Sequence, residues 1–436
     1  MVNKLRVGFV DLCNKANMTY IKNPSLVGLY LLTILEQEFK DRLDISMIDL
    51  RGIKPQDQVY RVPENDILLY SCSSHDFEEY KILVDNLRKF YPKTIHVAGG
   101  PHVNLFPKEC LKTFDSIVIG EGEEKIKELV NDVYNNALKR IYTQEERIDI
   151  NLYPFPSRKY YPKSSIAVPN ILPGEYANLL GTSAIFSRGC PFNCHFCSKI
   201  IGGKVQYRKP ESIIDEIEYL KKEFGVECLA IKDDNSIPFD KKIAMINLSA
   251  IAKTNIKWRG QSRANGIDRE SVALAKKSGC VEIAVGVESV YQKSLDIVNK
   301  AINIDRAKDY LKILREEKIG VRLLLILGLP GEPDDIAQRT IDFIKDIKPT
   351  TVLLSVLTPS PGSEIYNHPE KFGIIIDKDN SLLRTAYGRF DKDEKTKMTF
   401  DYSNVTPFGK GKKREEIIRE YECVQDFLRD NNYNEY

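Results

Sequence analysis

The chain has 436 residues, enough for two or three domains with a large buried core. Its 64 Lys and Arg nearly cancel its 62 Asp and Glu, and the formal net charge of +2 provides no global field that would favour nucleic acid. Nine cysteines, three in one loop and the others scattered singly, lack the spacing of a disulfide framework. With no signal-peptide pattern and no membrane-length apolar run, these features predict a cytoplasmic protein without a membrane span.

The first part of the chain alternates strand-like and helical patterns. Short apolar runs typical of buried strands occur at Arg6–Asp11, Asp44–Leu50, Ile67–Ser71, Thr94–Ala98 and Ser116–Ile119. Helical spacing of apolar residues occurs at Leu26–Phe39, Phe77–Phe90 and Glu123–Asn136. Strands that alternate with helices predict a doubly wound parallel sheet, which binds ligands beyond the carboxyl ends of its strands.

Small and polar residues concentrate in the loops that follow these strands, Leu12–Pro24, Cys72–Asp76, Gly99–Asn104 and Gly120–Glu123. They include Ser71, Ser73, Ser74, Gly99, Gly100, Pro101, His102, Gly120 and Gly122. Glycines would let the backbone approach a large ligand closely. Ordinary strand-to-helix turns suit the same residues, and the residue chemistry alone leaves both interpretations open.

A second alternation begins at Thr182. Strands are predicted at Ala184–Phe186, Glu227–Ile231, Ile256–Arg259, Val281–Val287, Gly320–Leu327 and Thr351–Leu357. Helices are predicted at Glu211–Phe224, Asp268–Ser278, Ile304–Glu317 and Asp334–Ile347. Such units can close into a complete or partial barrel, whose site lies at the carboxyl ends of the strands.

The first strand of this series leads into a loop with three cysteines, Cys190, Cys194 and Cys197, spaced C-x3-C-x2-C. Thiolates are the usual ligands of iron-sulfur clusters, and a four-iron cluster held by three of them keeps one iron open for a substrate or cofactor. A structural zinc site or chance clustering is the alternative. A closed zinc site needs four ligands, usually in two pairs, and the chain has no second C-x2-C.

The cysteine loop resembles that of radical S-adenosylmethionine (SAM) enzymes. The resemblance implies that Cys190, Cys194 and Cys197 hold a 4Fe-4S cluster whose open iron binds the amino and carboxylate groups of SAM. Phe196 matches the aromatic position that packs near the adenine in this family, although it could equally be a plug that shields the cluster.

Polar residues at successive strand ends extend the resemblance. Asp233 and Asp234 stand where the family commonly presents polar groups to the methionine amine, and Arg263 stands where a guanidinium can fork onto the methionine carboxylate. Glu288 lies in a Gly-x-Glu-Ser element whose glutamate contacts SAM. A glycine-rich element beside the adenosine contains Gly328 and Gly331. Each of these could singly be a capped turn or an ion pair.

The segments VAGGPHVNLFP and SIVIGEGEE resemble the amino-terminal cobalamin-binding domain of one large class of radical SAM enzymes. By this resemblance the cobalamin-binding residues are Ser71, Ser73, Gly99, Gly100, His102, Gly120, Glu121 and Gly122. The Asp-x-His-x-x-Gly element that supplies a cobalt ligand elsewhere is missing, as is usual in this class, so the lower cobalt ligand stays open. Cys13 and Cys72 lie near strand ends and could approach a corrin, although a lone cysteine is more often a buried apolar residue.

The predicted organisation has four parts: a cobalamin-binding-like Rossmann domain at 1–140, a linker at 141–180, a partial (β/α)6 radical SAM barrel at 181–365 and a C-terminal substrate or capping region at 366–436. The linker contains LYPFPSRKYY, similar to the linker of that class. The C-terminal region contains a charged stretch over Phe372–Asp401, a basic run at Phe408–Arg414 and a helix predicted at Glu415–Arg429.

These features favour a cobalamin-dependent radical SAM methyltransferase that methylates an unactivated carbon of a small molecule. A non-methylating radical enzyme, performing oxidation, cyclisation or ring rearrangement, is the first alternative, and a non-catalytic binding protein on the same fold is the second. The implied cofactors are a 4Fe-4S cluster, SAM and cobalamin. The implied partner is an electron donor such as flavodoxin or ferredoxin.

Overall fold

The structure is a computed structural model that describes residues 4–12, 24–198, 203–265, 268–376 and 398–433. The chain divides into two compact units. The first comprises Met1–Ile171, Ala177–Ala184 and Glu218–Val226, and the second comprises Leu172–Tyr176, Ile185–Ile217 and Glu227–Tyr436. Most of the predicted Leu12–Pro24 loop, including Cys13, and much of the Phe372–Asp401 stretch lie outside the described residues.

The first sheet has six strands: β1 (Leu5–Asp11), β2 (Leu43–Asp49), β3 (Ile67–Ser71), β4 (Ile95–Gly99), β5 (Ser116–Ile119) and β6 (Ile141–Thr143). All neighbours are parallel, and the strand order is β2-β1-β3-β4-β5-β6. The order changes direction between β1 and β3, and open α/β sheets bind ligands beyond the carboxyl ends of the strands at such a point.

Helices cover both faces of this sheet. They are α1 (Leu26–Phe39), α2 (Pro55–Gln58), α3 (Phe77–Phe90), α4 (Pro101–Leu105), α5 (Pro107–Cys110) and α6 (Glu123–Tyr134). Alternate residues of β3 enter different cores: Leu68 packs in the core that contains residues of α3, and Leu69 packs in the core of α1 and α6. Both faces are therefore buried, which explains the continuous apolar strand sequences and confirms the doubly wound sheet.

The strand β6 was not predicted, and it lies just inside the segment expected to be a linker. Its residues pair in parallel with β5, Ile117 opposite Ile141. The strand has three residues, of which only Tyr142 is buried. Such a short segment does not show the alternation of apolar and polar residues by which a strand is recognised. Single 3-10 turns follow at Ile150–Leu152, Lys163–Ser165 and Gly174–Tyr176.

The strands that follow are β7 (Gly181–Ala184), β8 (Ser187–Arg188), β9 (Gln206–Tyr207), β10 (Cys228–Ile231), β11 (Lys257–Arg263), β12 (Cys280–Glu288), β13 (Gly320–Leu327) and β14 (Thr351–Val356). A second six-stranded sheet has the order β14-β13-β12-β11-β10-β7, and β8 forms a small antiparallel pair with β9. From β10 to β14 the neighbours are parallel. Strands that follow chain order in an open curved sheet form the partial (β/α)6 barrel, and the predicted fold class is confirmed.

The helices of this region are α7 (Pro210–Phe224), α8 (Lys241–Lys253), α9 (Arg269–Lys277), α10 (Gln292–Ile297), α11 (Ile304–Glu316) and α12 (Ile336–Ile347). In β13 buried residues alternate with half-buried ones, so one face of the strand is fully covered and the other is more open. The helices α8 and α10 were not predicted. Apolar residues surround much of α8, and α10 has only six residues, so neither shows a clear amphipathic stripe.

The C-terminal region contains α13 (Glu364–Asn367), the antiparallel pair β15 (Ile374–Ile376) and β16 (Phe400–Tyr402), the pair β17 (Val405–Thr406) and β18 (Gly409–Lys410), and α14 (Arg414–Asp430). The helix α14 packs against α12 and β14. Beyond it, the Tyr433 carbonyl accepts a 2.8 Å hydrogen bond from the Val352 amide. None of the helices in the described ranges is long and apolar enough to cross a membrane.

The single tryptophan of the chain provides a test of the barrel core. Trp258 is fully buried, and its indole N–H donates to the carbonyl and the hydroxyl of Ser278, at 3.2 and 3.0 Å. We expect Trp258→Phe to lower the free energy of unfolding by about 1–3 kcal/mol, because it loses these hydrogen bonds and leaves a small cavity. Guanidinium unfolding followed by circular dichroism measures the change. Ile246→Ala, at an exposed site, should leave the unfolding midpoint unchanged, and an equal loss in both variants would contradict the prediction.

Candidate active site

The predicted cobalamin-binding residues at the ends of β3 and β4 lie next to each other. Ser71 is paired with Gly99 in the sheet register. Gly100 has a φ of +94°, and a Cβ there would lie 2.9 Å from the Ser71 hydroxyl and 3.0 Å from the Cys72 backbone. This close approach of two chain segments requires a glycine at 100 whether or not a ligand binds.

His102 follows in α4, and its side chain is buried within the protein. Its ring stacks on Phe77 with centroids 4.1 Å apart and contacts Phe106 at 4.9 Å. Its Nδ1 lies 3.0 Å from the Ser74 hydroxyl. These contacts make His102 a packing residue of the loop in this conformation, so its predicted contact with cobalamin would be indirect.

The Gly120-Glu121-Gly122 segment after β5 is tied to the chain that follows β6. The Gly120 amide donates to the Asn104 side chain at 2.8 Å. The buried Glu121 carboxylate accepts from Arg147 at 2.9 Å and from the Ile148 amide at 3.0 Å. Gly122 immediately precedes α6. The interactions of Gly120 and Glu121 are therefore explained by the fold itself.

Ser73 closes the loop after β3. Its amide donates to the Asp76 carboxylate at 2.8 Å, and its hydroxyl accepts from the His75 amide at 3.3 Å. Burial raises the pKa of Asp76 to about 7. A carboxyl group that titrates near neutral pH thus lies in one of the loops predicted to bind cobalamin.

A charged cluster that was not predicted lies at the carboxyl end of β1. Asp11 is buried, and its carboxylate accepts a hydrogen bond from the Tyr161 hydroxyl and lies 3.2 Å from Arg51 Nε. Arg51 also pairs with Asp49 at 2.7 Å and lies over the Tyr161 ring, 4.8 Å from its centroid. Burial raises the pKa of Asp11 to about 6. This group of charged side chains lies at the edge of the sheet where the strand order changes direction.

The cysteine loop is held by a turn that follows α10. This turn, residues 297–301, is called the anchoring turn below. The Val298 carbonyl accepts from the His195 amide at 2.9 Å, and the Ile297 carbonyl lies 3.0 Å from His195 Nδ1. The Asn299 side chain donates to the Asn193 carbonyl at 2.9 Å. Backbone groups thus fix the loop between its cysteines.

The other side of the loop is held near the end of the barrel. The Ser198 hydroxyl donates to the Pro361 carbonyl at 2.6 Å, and the Ile365 amide donates to the His195 carbonyl at 3.0 Å. The His195 ring also contacts Phe372 edge-on at 5.4 Å. His195 is therefore occupied by structural contacts and does not turn toward the cysteines.

The three predicted cluster ligands influence one another electrostatically. Desolvation of the sulfur raises the pKa of the Cys197 thiol, neighbouring Cys194 and Cys190 raise it further, and Lys300 lowers it. In the described part of the chain, no group of three or more His, Cys, Asp or Glu side chains is placed to hold one metal ion. A four-iron cluster instead binds each thiolate through a different iron, so its ligands need not converge on one point. The mutually close thiols of this one loop fit such a cluster.

Arg263, at the carboxyl end of β11, joins the cysteine loop to the anchoring turn. One terminal nitrogen donates to the Cys194 sulfur at 3.0 Å, and the other donates to the Lys300 carbonyl. The guanidinium also lies over the Phe192 ring, 3.7 Å from its centroid. Both arms of the predicted carboxylate-binding fork therefore have protein partners in this conformation, and the contact of Arg263 with SAM stays a prediction.

Asp233 and Asp234 follow β10 and face different surroundings. Asp233 is buried, accepts from the Phe186 amide at 2.7 Å, and so holds the chain that enters the cysteine loop. Burial raises its pKa to about 7. Asp234 is exposed and close enough to raise the pKa of Cys197. Of the two, Asp234 is the exposed one, and its contact with SAM stays a prediction.

Glu288, at the end of β12, forms an ion pair with Lys300 at 2.8 Å. Its φ of +72° is rare for a residue other than glycine, and the register between β12 and β13 shifts beside it. A Cβ at Gly286 would lie 2.5 Å from the Glu288 carboxylate, so a side chain there would displace that carboxylate. The Lys300 ammonium also lies 5.7 Å from the ring centroid of Phe196. Glu288 and Phe196, both predicted to contact SAM, are thus joined through a lysine that was not predicted.

The glycine-rich element after β13 is covered by the C-terminal region. Gly328 has a φ of +79°, and a Cβ there would lie 3.1 Å from Ile417. Its carbonyl accepts from the Tyr402 hydroxyl at 2.9 Å. A Cβ at Gly331 would lie 2.5 Å from Ile297, at the start of the anchoring turn. These glycines therefore allow close packing within the protein, and their predicted contact with the adenosine is untested.

Comparison with known proteins finds a family that matches the barrel region. The family described as "Radical SAM superfamily" matches residues 184–344. An uncharacterized methyltransferase of Pyrococcus horikoshii is 30% identical over 291 residues, covering 62% of this chain and 62% of that protein. The bacteriochlorophyllide d C-12(1)-methyltransferase of Chlorobaculum tepidum is 28% identical over 280 residues, covering 62% of this chain and 59% of that protein. The chain thus spans about three fifths of the length of these relatives.

Among solved structures, the radical SAM methyltransferase TsrM of Kitasatospora setae, with cobalamin and a [4Fe-4S] cluster bound, has a TM-score of 0.72. The alignment covers 99% of this chain and 91% of that one at 15% identity. At this identity the likeness concerns the fold. It extends over both sheets.

The raised pKa of the buried Glu332 carboxyl can be tested by measuring stability against pH. The Glu332 carboxylate accepts a hydrogen bond from the Gly328 amide at 2.8 Å, and burial raises its pKa from 4.5 to about 8. Because the folded pKa is raised, the protonated form stabilises the fold at low pH, and this contribution is lost as pH rises from 4.5 to about 8. We expect Glu332→Gln to make the melting temperature fall less over this range than it does in the wild type. Glu223→Gln, at an exposed position of α7, is the control, and equal slopes in all three proteins would contradict the assignment.

Arg263 provides a test of the cysteine loop. We expect Arg263→Met to weaken cluster binding roughly tenfold or more, because residues that orient metal ligands typically contribute this much. Arg263→Lys keeps the charge but not the two-armed geometry, so its loss should be smaller. Iron and sulfide per chain after anaerobic reconstitution measure the effect. Arg269→Met, at an exposed site on α9, should bind iron as the wild type does, and a full iron content in Arg263→Met would show that the fork is dispensable.

Proposed function

We propose that this chain, whose residues 184–344 are a radical SAM domain, is a cobalamin-dependent radical SAM methyltransferase. The observation that carries the proposal is the cysteine loop, which hydrogen bonds hold in place. Its predicted ligand Cys194 accepts a hydrogen bond from Arg263 at the end of β11. Glu288, paired with Lys300, ends the next strand of the same sheet. The relatives named as methyltransferases support methylation as the outcome.

Cys190, Cys194 and Cys197 would hold the 4Fe-4S cluster, and the exposed carboxylate of Asp234 would meet SAM beside them. When bound, the cluster and SAM supply a 5′-deoxyadenosyl radical, and cobalamin supplies the methyl group. The protein would position these groups and shield them from water. The Glu288 carboxylate, oriented by Lys300, would accept hydrogen bonds from SAM.

Aromatic residues around the loop would limit the access of water. Phe192 packs under the Arg263 guanidinium and contacts Phe239 edge-on at 5.0 Å. Phe196 lies between two of the cysteines and below the Lys300 ammonium. A drier environment strengthens every charge interaction at the site, including that of Arg263 with a thiolate.

Cobalamin would bind beyond the carboxyl edge of the first sheet, where the strand order changes direction. Of the predicted cobalamin-binding residues, Ser71, Ser73, Gly99 and Gly122 support this site. Gly100 and Gly120 do not add to the support, because contacts within the protein explain why they are glycines. The buried Asp11 cluster lies at the same edge and would present polar groups there.

A small-molecule substrate and a one-electron donor such as flavodoxin or ferredoxin belong to the same proposal, as does a cytoplasmic location. Cys190, Cys194 and Cys197 are free thiols, which fits a reducing compartment.

The test is anaerobic purification and reconstitution, followed by iron, sulfide and corrinoid analysis and an assay with methyl-labelled SAM. We expect a cluster, bound corrinoid, 5′-deoxyadenosine and a labelled product. Cys194→Ala should lose the cluster and the 5′-deoxyadenosine, because a three-thiolate site has no spare ligand. Cys423→Ala, at an exposed position of α14, should retain both.

Each half of the proposal can fail separately. A full cluster without corrinoid, even after added cobalamin, would remove cobalamin from the proposal. An unlabelled product formed together with 5′-deoxyadenosine would point to a non-methylating radical reaction. Activity in Cys194→Ala would contradict the radical mechanism as a whole.

A further inference from the structure

Lys300 is a buried lysine that neither the sequence motifs nor the family resemblance assigned to the site. It has an exposed fraction of 4%. It lies in the anchoring turn between Asn299 and Ala301, whose φ values of +51° and +52° are left-handed. A lysine is almost never fully buried unless it is paired, because removing its charge from water is costly.

The partners of Lys300 belong to two parts of the predicted site. Its ammonium lies 2.8 Å from the Glu288 carboxylate and 5.7 Å from the ring centroid of Phe196. Its main-chain carbonyl accepts a hydrogen bond from Arg263, which also donates to Cys194. A single residue thus connects a predicted SAM contact with the loop that carries the predicted cluster ligands.

Charged side chains of both signs lie beside the cysteine loop. Arg263 and Lys300 are cations that contact the loop, and Glu288 is the anion paired with Lys300. The Lys300 ammonium lies 5.7 Å from the ring centroid of Phe196, which stands between Cys194 and Cys197 in the loop, so its field reaches the thiolates. Reduction adds one negative charge to the group that these thiolates hold. A nearby cation therefore favours the reduced form, and a nearby anion opposes it.

We propose that Lys300 is a positioning residue that orients Glu288 toward SAM, and that the net charge of the Lys300–Glu288 pair sets how readily the cluster is reduced. This inference rests on the proposed function. It assigns to a residue outside the recognised motifs both a geometric and an electrostatic role, and the two roles can be measured separately.

The electrostatic role is tested by a charge series. The pair has a net charge of zero in the wild type, −1 in Lys300→Met, +1 in Glu288→Gln and zero again in the double variant. We expect the reduction equilibrium to fall about tenfold in Lys300→Met and to rise about tenfold in Glu288→Gln, where tenfold corresponds to 59 mV for a one-electron couple. The double variant should return close to the wild-type potential. Potentiometric titration followed by electron paramagnetic resonance measures each value.

The geometric role is tested by binding of radiolabelled SAM to the same reconstituted proteins. Lys300→Met, Glu288→Gln and the double variant should all bind SAM roughly tenfold more weakly, because a charge-assisted hydrogen bond is lost or misaligned. Lys300→Arg keeps the cation and should largely restore both the potential and the binding. The double variant is decisive, since it combines a wild-type potential with weak binding.

Shifts of the same sign in Lys300→Met and Glu288→Gln, or no shift in either, would overturn the electrostatic role. Wild-type SAM binding in Lys300→Met would overturn the geometric role. Circular dichroism and iron content confirm that each variant is folded and loaded, and Glu288→Gln keeps the test open if Lys300→Met does not fold. A wild-type protein that binds no iron would instead defeat the proposed function, so the two failures are distinguishable.

Discussion

The buried guanidinium of Arg263 connects three segments of the barrel that are far apart in the chain. It lies at the end of β11 and donates to a cysteine 69 residues earlier and to a carbonyl 37 residues later. A buried charge is tolerated only when its partners are in place. Correct folding of β11, the cysteine loop and the anchoring turn is therefore one coupled requirement, and the geometry of the three thiols depends on it.

The residues identified from motifs fall into two groups in the structure. Asp234, Arg263 and Glu288 lie near the cysteine loop or its anchors. Some of the others support the fold: Asp233 holds the entry to the loop, Gly328 packs under α14, and Glu121 ties down the chain after β6. The same residue types suit turns and ligands, because both uses need small side chains or unpaired acceptors near a strand end.

Local patterns predicted most of the architecture. Helices α1 and α3 and strands β3, β5 and β13 have the predicted bounds, since long apolar periods are local properties. The anchoring turn could not be predicted, because Lys300 acquires its role only through partners at positions 288 and 263. Likewise, Asp11, Arg51 and Tyr161 form one cluster across 150 residues of sequence, and no spacing rule links them. The three cysteines could be proposed as ligands from the sequence because their spacing is itself local, and this assignment stays a prediction.

The two compact units are interleaved along the chain. The first unit takes residues from three separate segments, the last of which, Glu218–Val226, lies after the cysteine loop. No single cut in the gene therefore separates one unit from the other. During synthesis the first unit stays incomplete until residue 226 has left the ribosome, by which time the cysteine loop has already emerged. The cysteine loop is therefore synthesised before the first unit can be completed.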